Sequence, residues 1–348
     1  MKQDLINQLE KITSNQNADE KEILFQLKNV LYETEFQNSN ARESRSISSL
    51  VSENLNLLKS GKQSDNIILS GFKSFDKLFG GFSFGELVVI GGRPSMGKTQ
   101  LLVNLALNVS ANIPILYFTF DLSEFLLTNR FISSYSNIAM NHILQHNLSE
   151  EENNILTGME NKFNDHKIFI NDSCNNSLSA FKAHCKKQIE ENGVKIIIVD
   201  YLQMMSSNKY RNNRELEISH ISRELKNIAK DHNVCVIAAS QLSRAVESRG
   251  GSKHPQLSDL RESGAIEQDA DKVIFIYRPE YYGLEMDEDG NNTAGLTELI
   301  LAKNRNGSLG TVKLQRNSNF TNYREFEGYT NDFSFSKSRL TEIDEQPF

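Results

Sequence analysis

The sequence predicts an α/β fold in which a mainly parallel sheet is covered by helices on both faces. Three observations predict it. From about residue 66 onward, strand-like and helix-like runs alternate; the strand-like runs are apolar on both faces; and the stretch GGRPSMGKTQ, residues 91–100, joins the apolar run Leu87–Ile90 to a helical pattern. Strands buried on both sides and separated by helices belong to parallel sheets, because only a crossover helix can return the chain to start a parallel neighbour.

At 348 residues the chain is long enough for one large domain and a small appendage. Residues 1–36 read as two short amphipathic helices, with Leu5, Leu9 and Ile12 on one and Leu24, Leu27 and Leu31 on the other. QNSNARESR (37–45) is a polar linker, and a third helical pattern, Ile47, Leu50, Val51, Leu55 and Leu58, runs until Gly61 ends it. An isolated apolar stripe needs cover, from the main domain or from a neighbouring chain. The expected division is a helical extension over 1–45, a linker helix over 46–65, a nucleotide-binding domain over 66–324 and a polar tail over 325–348.

Strands are expected at 87–91, 114–120, 167–170, 194–199, 234–239, 273–277, 297–302 and 311–316, with helices near 99–110, 123–135, 178–192 and 214–232. Hydrophobic content of 38% and charged content of 24% suit a globular protein, and no run of eighteen apolar residues exists. The polar start, MKQDLINQLEKITSNQN, is unlike a signal peptide, so a cytoplasmic location is expected, with no membrane partner. The three cysteines and seven histidines form no metal-like cluster; His142 and His146, four apart, read as a solvated helix face. A net charge of −7 argues against a broadly basic nucleic-acid surface but leaves room for a local one.

The loop carries the chemistry. Gly92, Gly97, Lys98 and Thr99 fit G-x-x-x-x-G-K-[ST], in which backbone N–H groups wrap a chain of phosphates, the lysine meets the terminal phosphates and the hydroxyl meets magnesium. Residues Gly92, Arg93, Pro94, Ser95, Met96, Gly97, Lys98, Thr99 and Gln100 are therefore the expected cradle for ATP and Mg2+, with the following helix N-terminus aimed at the anion. Ligand groups in such sheets gather at the carboxyl ends of the strands.

Asp200 ends the strand of VKIIIVDYLQMM and is expected to share the magnesium with Thr99. Asp121 ends ILYFTFD, where a carboxylate can orient or deprotonate the attacking water; helix capping by Asp121 or Ser123 competes with that role. Gln241, after VCVIAAS, offers a neutral amide to a γ-phosphate. Lys303 and Arg305 in LAKNRNG stand two apart at a strand end and point to one side, a cationic pair suited to a transferring phosphoryl group in its own subunit or the next. Basic loops carrying Lys209, Arg211 and Arg214, then Arg244, Arg249, Lys253 and Arg261, suit a threaded polyanion, although charged loops are as often plain solvated surface.

In this order GRPSMGKT, VDYLQMM, NRELEISHISRELKNIAK, ASQLSRAVESR, SDLRESGAIEQDAD, FIYRPEYY and AKNRNG resemble the C-terminal motor domain of the DnaB family of replicative DNA helicases, the RecA-like hexameric type, from about Ser46 to about Arg324. The resemblance implies a RecA-like core, ATP hydrolysis, a homo-oligomeric, hexameric ring, and 5′→3′ movement on single-stranded DNA at a replication fork. It also implies that Lys303 and Arg305 reach the neighbour's γ-phosphate, that the helix at 46–59 docks on the adjacent protomer, and that Arg261, Glu262 and Gly264 of RESG, with Arg244 nearby, hold the DNA.

Two departures stand out. Asp121 occupies the place of the family's catalytic glutamate, and residues 1–45 stand where the family carries a larger helical collar that binds primase, so primase recruitment is not expected. Both features favour an alternative, a slowly hydrolysing DnaB-like ring that serves as an assembly or regulatory module. A third reading, a RecA- or KaiC-like ATPase unconnected with unwinding, shares GFKSFDKLFGGFSFGEL in outline but does not account for RESGAIEQDAD or NRNG.

Overall fold

The structure, a computed structural model, describes Ile12 and residues 44–60, 66–173, 176–210, 212–249, 253–260, 264–286 and 290–326. The helices expected within 1–36 and most of the expected tail lie outside the described residues, as do Arg211, Arg261 and Glu262. The chain divides into two compact units, residues 1–64 and 65–348. In the first, helix α1 (Ile47–Lys59) starts at Ser46, whose Oγ accepts the Ser49 N–H, and its stripe of Ile47, Val51, Leu55 and Leu58 is exposed.

The second unit begins with β1 (Ile67–Ile68), α2 (Lys73–Phe79) and β2 (Phe82–Ser83), a small antiparallel ribbon with its helix. There follow β3 (Leu87–Gly92), α3 (Lys98–Ser110), β4 (Ile115–Thr119), α4 (Glu124–Ser136), α5 (Met140–Leu144), α6 (Glu150–Leu156), α7 (Met159–Phe163), β5 (Ile168–Asn171), α8 (Leu178–Asn192) and β6 (Ile196–Asp200). After these come α9 (Arg214–His232), β7 (Cys235–Gln241), α10 (Ala245–Ser248), α11 (Gly264–Asp269), β8 (Lys272–Tyr277), β9 (Leu296–Asn304), β10 (Gly310–Arg316) and β11 (Tyr323–Glu325).

Nine strands form one sheet in the order β11-β10-β9-β8-β3-β7-β6-β4-β5. From β8 to β5 all neighbours are parallel; β9, β10 and β11 extend the sheet as an antiparallel flap. Each parallel strand divides its residues between two cores. Val88, Ile90, Tyr117, Ile198 and Ile237 face one layer with α3, whereas Leu87, Val89, Phe118, Ile197 and Val236 face the other with α8 and α9. This alternation explains why no polar face shows in the sequence: each such side chain contributes roughly 1.5–3 kcal/mol on burial, and both faces are dry. Among the described residues no helix is long and apolar enough to cross a membrane.

The base of the sheet, opposite the carboxyl edge of its parallel strands, is tied by buried charge. Lys272 bonds the Glu86 carboxylate at 2.9 Å and the Gly81 carbonyl at 2.9 Å, while Asp271 accepts from the Leu87 N–H at 2.8 Å and from Lys226 at 2.6 Å. Groups this deeply buried need such partners, because an unpaired ion there would lose its hydration without return.

Candidate functional site

Four of the residues singled out from sequence assemble at one edge. Gly92, Gln241, Asp200 and Asp121 end or directly follow β3, β7, β6 and β4, four consecutive strands of the sheet. The register sets Gly92 beside Gln241 and Thr119 beside Asp200.

The loop between β3 and α3 turns through Ser95 at φ 62° and Gly97 at φ 97°. Gly97 is required there twice over: its backbone is left-handed, and a Cβ would stand 2.2 Å from the Tyr323 hydroxyl. The Lys98 ammonium donates to the carbonyls of Gly92 (2.8 Å) and Arg93 (3.1 Å), so it lies folded across the loop it would serve. Burial lowers its pKa to about 8, with the Asp200 charge acting in the opposite sense.

Not every side chain of the loop faces the cradle. The Arg93 guanidinium is turned to Glu247 (2.8 Å) and the Leu242 carbonyl (2.7 Å), Met96 is buried in the core, and Gln100 donates to the Thr321 carbonyl. Pro94 and Ser95 are exposed, and the Ser95 carbonyl accepts from Arg278 at 2.9 Å. Gly92, Gly97, Lys98, Thr99 and the backbone between them are left to line the site.

Asp200 is buried, and burial raises its pKa against hydrogen bonds from Thr99 and Tyr117 and the charge of Lys98. The Tyr117 hydroxyl donates to it at 3.1 Å. A buried carboxylate held by two hydroxyls is short of positive charge, and this is the donor set that suits a magnesium ion shared with phosphate oxygens. Among the described residues no group of three or more His, Cys, Asp or Glu side chains could hold a metal by itself. The expected solvated helix face at His142 and His146 differs in two respects: α5 ends at Leu144, so His146, at φ 53°, lies beyond it, and His142 Nδ1 lies 2.8 Å from Glu152 of α6, a partner that spacing along one helix does not reveal.

Asp121 is exposed in the bend after β4, near enough for its charge to act on Lys98, Asp200 and Tyr201. Ser123 takes the cap of α4, its Oγ accepting the Leu126 N–H at 3.4 Å. Glu124 lies in the first turn, exposed, with its own N–H bonded to Asp172 at 3.0 Å.

Two groups were missed from sequence. Gln203, just past Asp200, accepts the Gln241 N–H at 3.1 Å and donates to the Gln241 carbonyl at 3.2 Å and the Ser240 hydroxyl at 2.9 Å. Arg130 of α4 has a buried Nε without a hydrogen-bond partner, lines an open cavity of about 640 Å³ beside Gln100, and lies close enough to act electrostatically on Tyr117. Its signal in the sequence was one arginine among the apolar and polar positions of FLLTNRFISSYS, which reads as a solvated residue.

Lys303 and Arg305 do not join this group. Lys303 pairs with Val273 and Val273 with Val89, three residues before Gly92, and β9 runs antiparallel to β3's neighbour β8. At ~3.3 Å per residue and ~4.8 Å per strand, Arg305 lies roughly 20 Å from Gly92, toward the base of the sheet. That is farther than an arginine side chain spans. Both side chains turn to the end of α11: Lys303 donates to the Glu267 and Gln268 carbonyls, and Arg305 to the Gln268 carbonyl and, at 3.3 Å, to Asp271. Burial and the Arg305 charge lower the pKa of Lys303.

Of the expected polyanion contacts, Arg244 is exposed where α10 begins and Gly264 opens α11. Arg249 is paired with Asp259, Lys253 donates to the Glu247 and Arg249 carbonyls, and Arg214 turns to the Met205 and Gln203 carbonyls and Glu217. Those three basic residues serve the loops that carry them.

Comparison with known proteins gives a consistent picture. The family described as DnaB-like helicase C terminal domain matches residues 68–325. A probable replicative DNA helicase of Trieres chinensis is 41% identical over 261 residues, 74% of this chain and 57% of that one. Replicative DNA helicase DnaB of Rickettsia conorii is 34% identical over 362 aligned positions, 95% of this chain and 73% of its own length. A solved DnaB-like replicative helicase, reported with its interactions with primase, superposes with a TM-score of 0.75 at 30% identity, covering 94% of this chain and 76% of that one. The chain spans little more than half the length of several of the relatives it matches.

Proposed function

The chain belongs to the DnaB-like helicase C-terminal domain family, and from that premise we propose that it is an ATP-hydrolysing, ring-forming DNA helicase or translocase that moves 5′→3′ on single-stranded DNA at a replication fork in the cytoplasm. Residues 66–324 form its motor, and the helix within 46–65 docks on the adjacent subunit, covering the stripe of Ile47, Val51, Leu55 and Leu58.

The roles follow from the edge described above. Backbone N–H groups of the Gly92–Thr99 loop hold the phosphates, and Lys98 exchanges two carbonyls for phosphate oxygens, recovering the charge that burial disfavours. Thr99 and Asp200 hold magnesium, which would neutralise charge on the phosphates when bound. Asp121 orients the attacking water and Gln241 reads the γ-phosphate. Arg244, Arg261, Glu262 and Gly264 track the DNA.

One observation carries the ring. The cationic pair Lys303 and Arg305 is level with the base of the sheet while the loop is at its top, so the pair serves a γ-phosphate only if that phosphate is bound by another copy. A site divided head to tail repeats from copy to copy, and gives a ring where the rotation between copies closes. The test is ATP turnover with and without single-stranded oligonucleotide, alongside unwinding of a tailed fork. Stimulated turnover with strand separation is expected; tight ATP binding with negligible turnover contradicts the motor. That second outcome is the one favoured by Asp121, whose carboxylate is one methylene shorter than a glutamate's, and it would identify a slowly hydrolysing ring acting as an assembly module.

A further inference from the structure

Gln203, the middle residue of a single 3-10 turn (Leu202–Met204) after β6, makes an unusual set of bonds. Its carboxamide exchanges both hydrogen bonds with the backbone of Gln241, N–H to Oε1 at 3.1 Å and Nε2 to carbonyl at 3.2 Å, as a neighbouring strand residue would. A third bond, to Ser240 Oγ at 2.9 Å, fixes its orientation. The same residue is held from behind. Its carbonyl accepts from Arg214 Nη2, whose Nη1 reaches the Met205 carbonyl at 3.1 Å and the Glu217 carboxylate, and Glu217 in turn accepts the Ser207 N–H at 2.7 Å. Ser207 is buried at the root of the loop that exposes Lys209.

An unbroken path of hydrogen bonds therefore runs from the last residue of β7 to the base of a basic loop. The backbone of Gln241 cannot shift without moving the carboxamide that pairs with it on both sides, and the Gln203 backbone cannot shift without moving Arg214 and Glu217. We propose that Gln203 is a positioning residue which, with Arg214, couples the state of the nucleotide-reading amide Gln241 to the 205–210 loop and so to single-stranded DNA held there. This rests on the reading that Gln241 faces the terminal phosphate and that the loop faces a polyanion.

The readout is a ratio. The affinity of the full-length protein for a fluorescein-labelled oligo-dT is measured by anisotropy, without nucleotide and with a non-hydrolysable ATP analogue plus magnesium. Coupling of ordinary strength changes that affinity by about 5- to 150-fold. Gln203→Met, which keeps length but removes the amide, is expected to bring the ratio to within about twofold of one, the limit in which coupling is lost. Arg214→Met, at a side chain 42% exposed, is expected to do the same without altering affinity for the analogue alone. The double variant should resemble either single variant, because both break one path.

Loss of structure or of a direct phosphate contact would weaken oligonucleotide binding equally in both conditions and leave the ratio intact; that result in both variants overturns the proposal. A wild-type ratio of one overturns it as well. Failure of the underlying functional reading is separately visible, as absence of binding by the ATP analogue itself.

Discussion

Lengthening one side chain tests whether the proposed water-orienting carboxylate limits catalysis. Asp121 is in the bend after β4, exposed, with its charge acting on Lys98 and Asp200, so it stands near the proposed phosphate cradle. Asp121→Glu adds one methylene and advances the carboxylate by about 1.5 Å, one carbon–carbon bond. Because a displacement of roughly 1 Å in a catalytic group changes rate by on the order of a hundredfold, or about 2.7 kcal/mol, kcat should rise between ~10- and ~100-fold. The fold should be untouched, since Ser123 and not Asp121 caps α4. Phosphate release at saturating ATP, with and without oligo-dT, measures the effect. An unchanged or lower kcat with normal ATP binding refutes the reasoning, because it would mean that this carboxylate does not limit the step.

Three further outcomes follow from the same geometry. Lys98→Ala should abolish tight nucleotide binding by removing the one ammonium folded across the loop; retained affinity in equilibrium dialysis would reject the loop as the phosphate cradle. Lys98 has a pKa lowered to about 8, so in the free protein it loses its proton as pH rises through that value, whereas bound phosphates restore the charge. Binding at pH 8 should then take up about half a proton per site, falling toward none near pH 6.5, as read by calorimetry in buffers of differing ionisation enthalpy; proton release instead would contradict it. Lys272→Met leaves Glu86 with a buried charge that, among the described residues, the Asn306 amide and the Ser83 N–H still meet, and should cost about 3–5 kcal/mol in urea denaturation; a loss under about 1 kcal/mol would show that the pair is not needed.

Much of this was legible in the chain itself. The eight principal strands and the four long helices of the second unit coincide with the apolar runs and helical periods; β3, β4, β6, β7 and β8 are nearly continuous apolar blocks because both sheet faces are buried there, whereas β10 (GTVKLQR) alternates. The glycine loop was legible because it is local: strand, turn and helix follow one another in sequence. What the residues did not reveal depends on pairings between distant segments. Strand β11 is three residues long and gains its place from β10 and from Tyr323, whose hydroxyl stands beside Gly97, 226 positions away. Gln203 reads as one polar loop residue among several, and only the adjacency of β6 and β7 brings it to Gln241.

Lys303 and Arg305 show the limit most clearly. Their spacing told that both face one side, yet it could not say at which end of the sheet, because strand direction is a property of the connection and not of the strand. The antiparallel turn into β9 reverses the expected position, and it is this reversal that separates the pair from its own loop.

Complementation between two inactive variants tests that separation most directly. Lys98→Ala protomers lack the cradle and Arg305→Ala protomers lack the guanidinium, so each alone should be inert. Mixed in equal amounts before assembly, they form competent sites wherever an Arg305→Ala loop meets a Lys98→Ala neighbour, about a quarter of all contacts in a randomly filled ring. Single-turnover ATP cleavage by the mixture should therefore recover about a quarter of the wild-type amplitude. A mixture as inert as its components, in rings shown by mass to contain both, would contradict a site shared between copies.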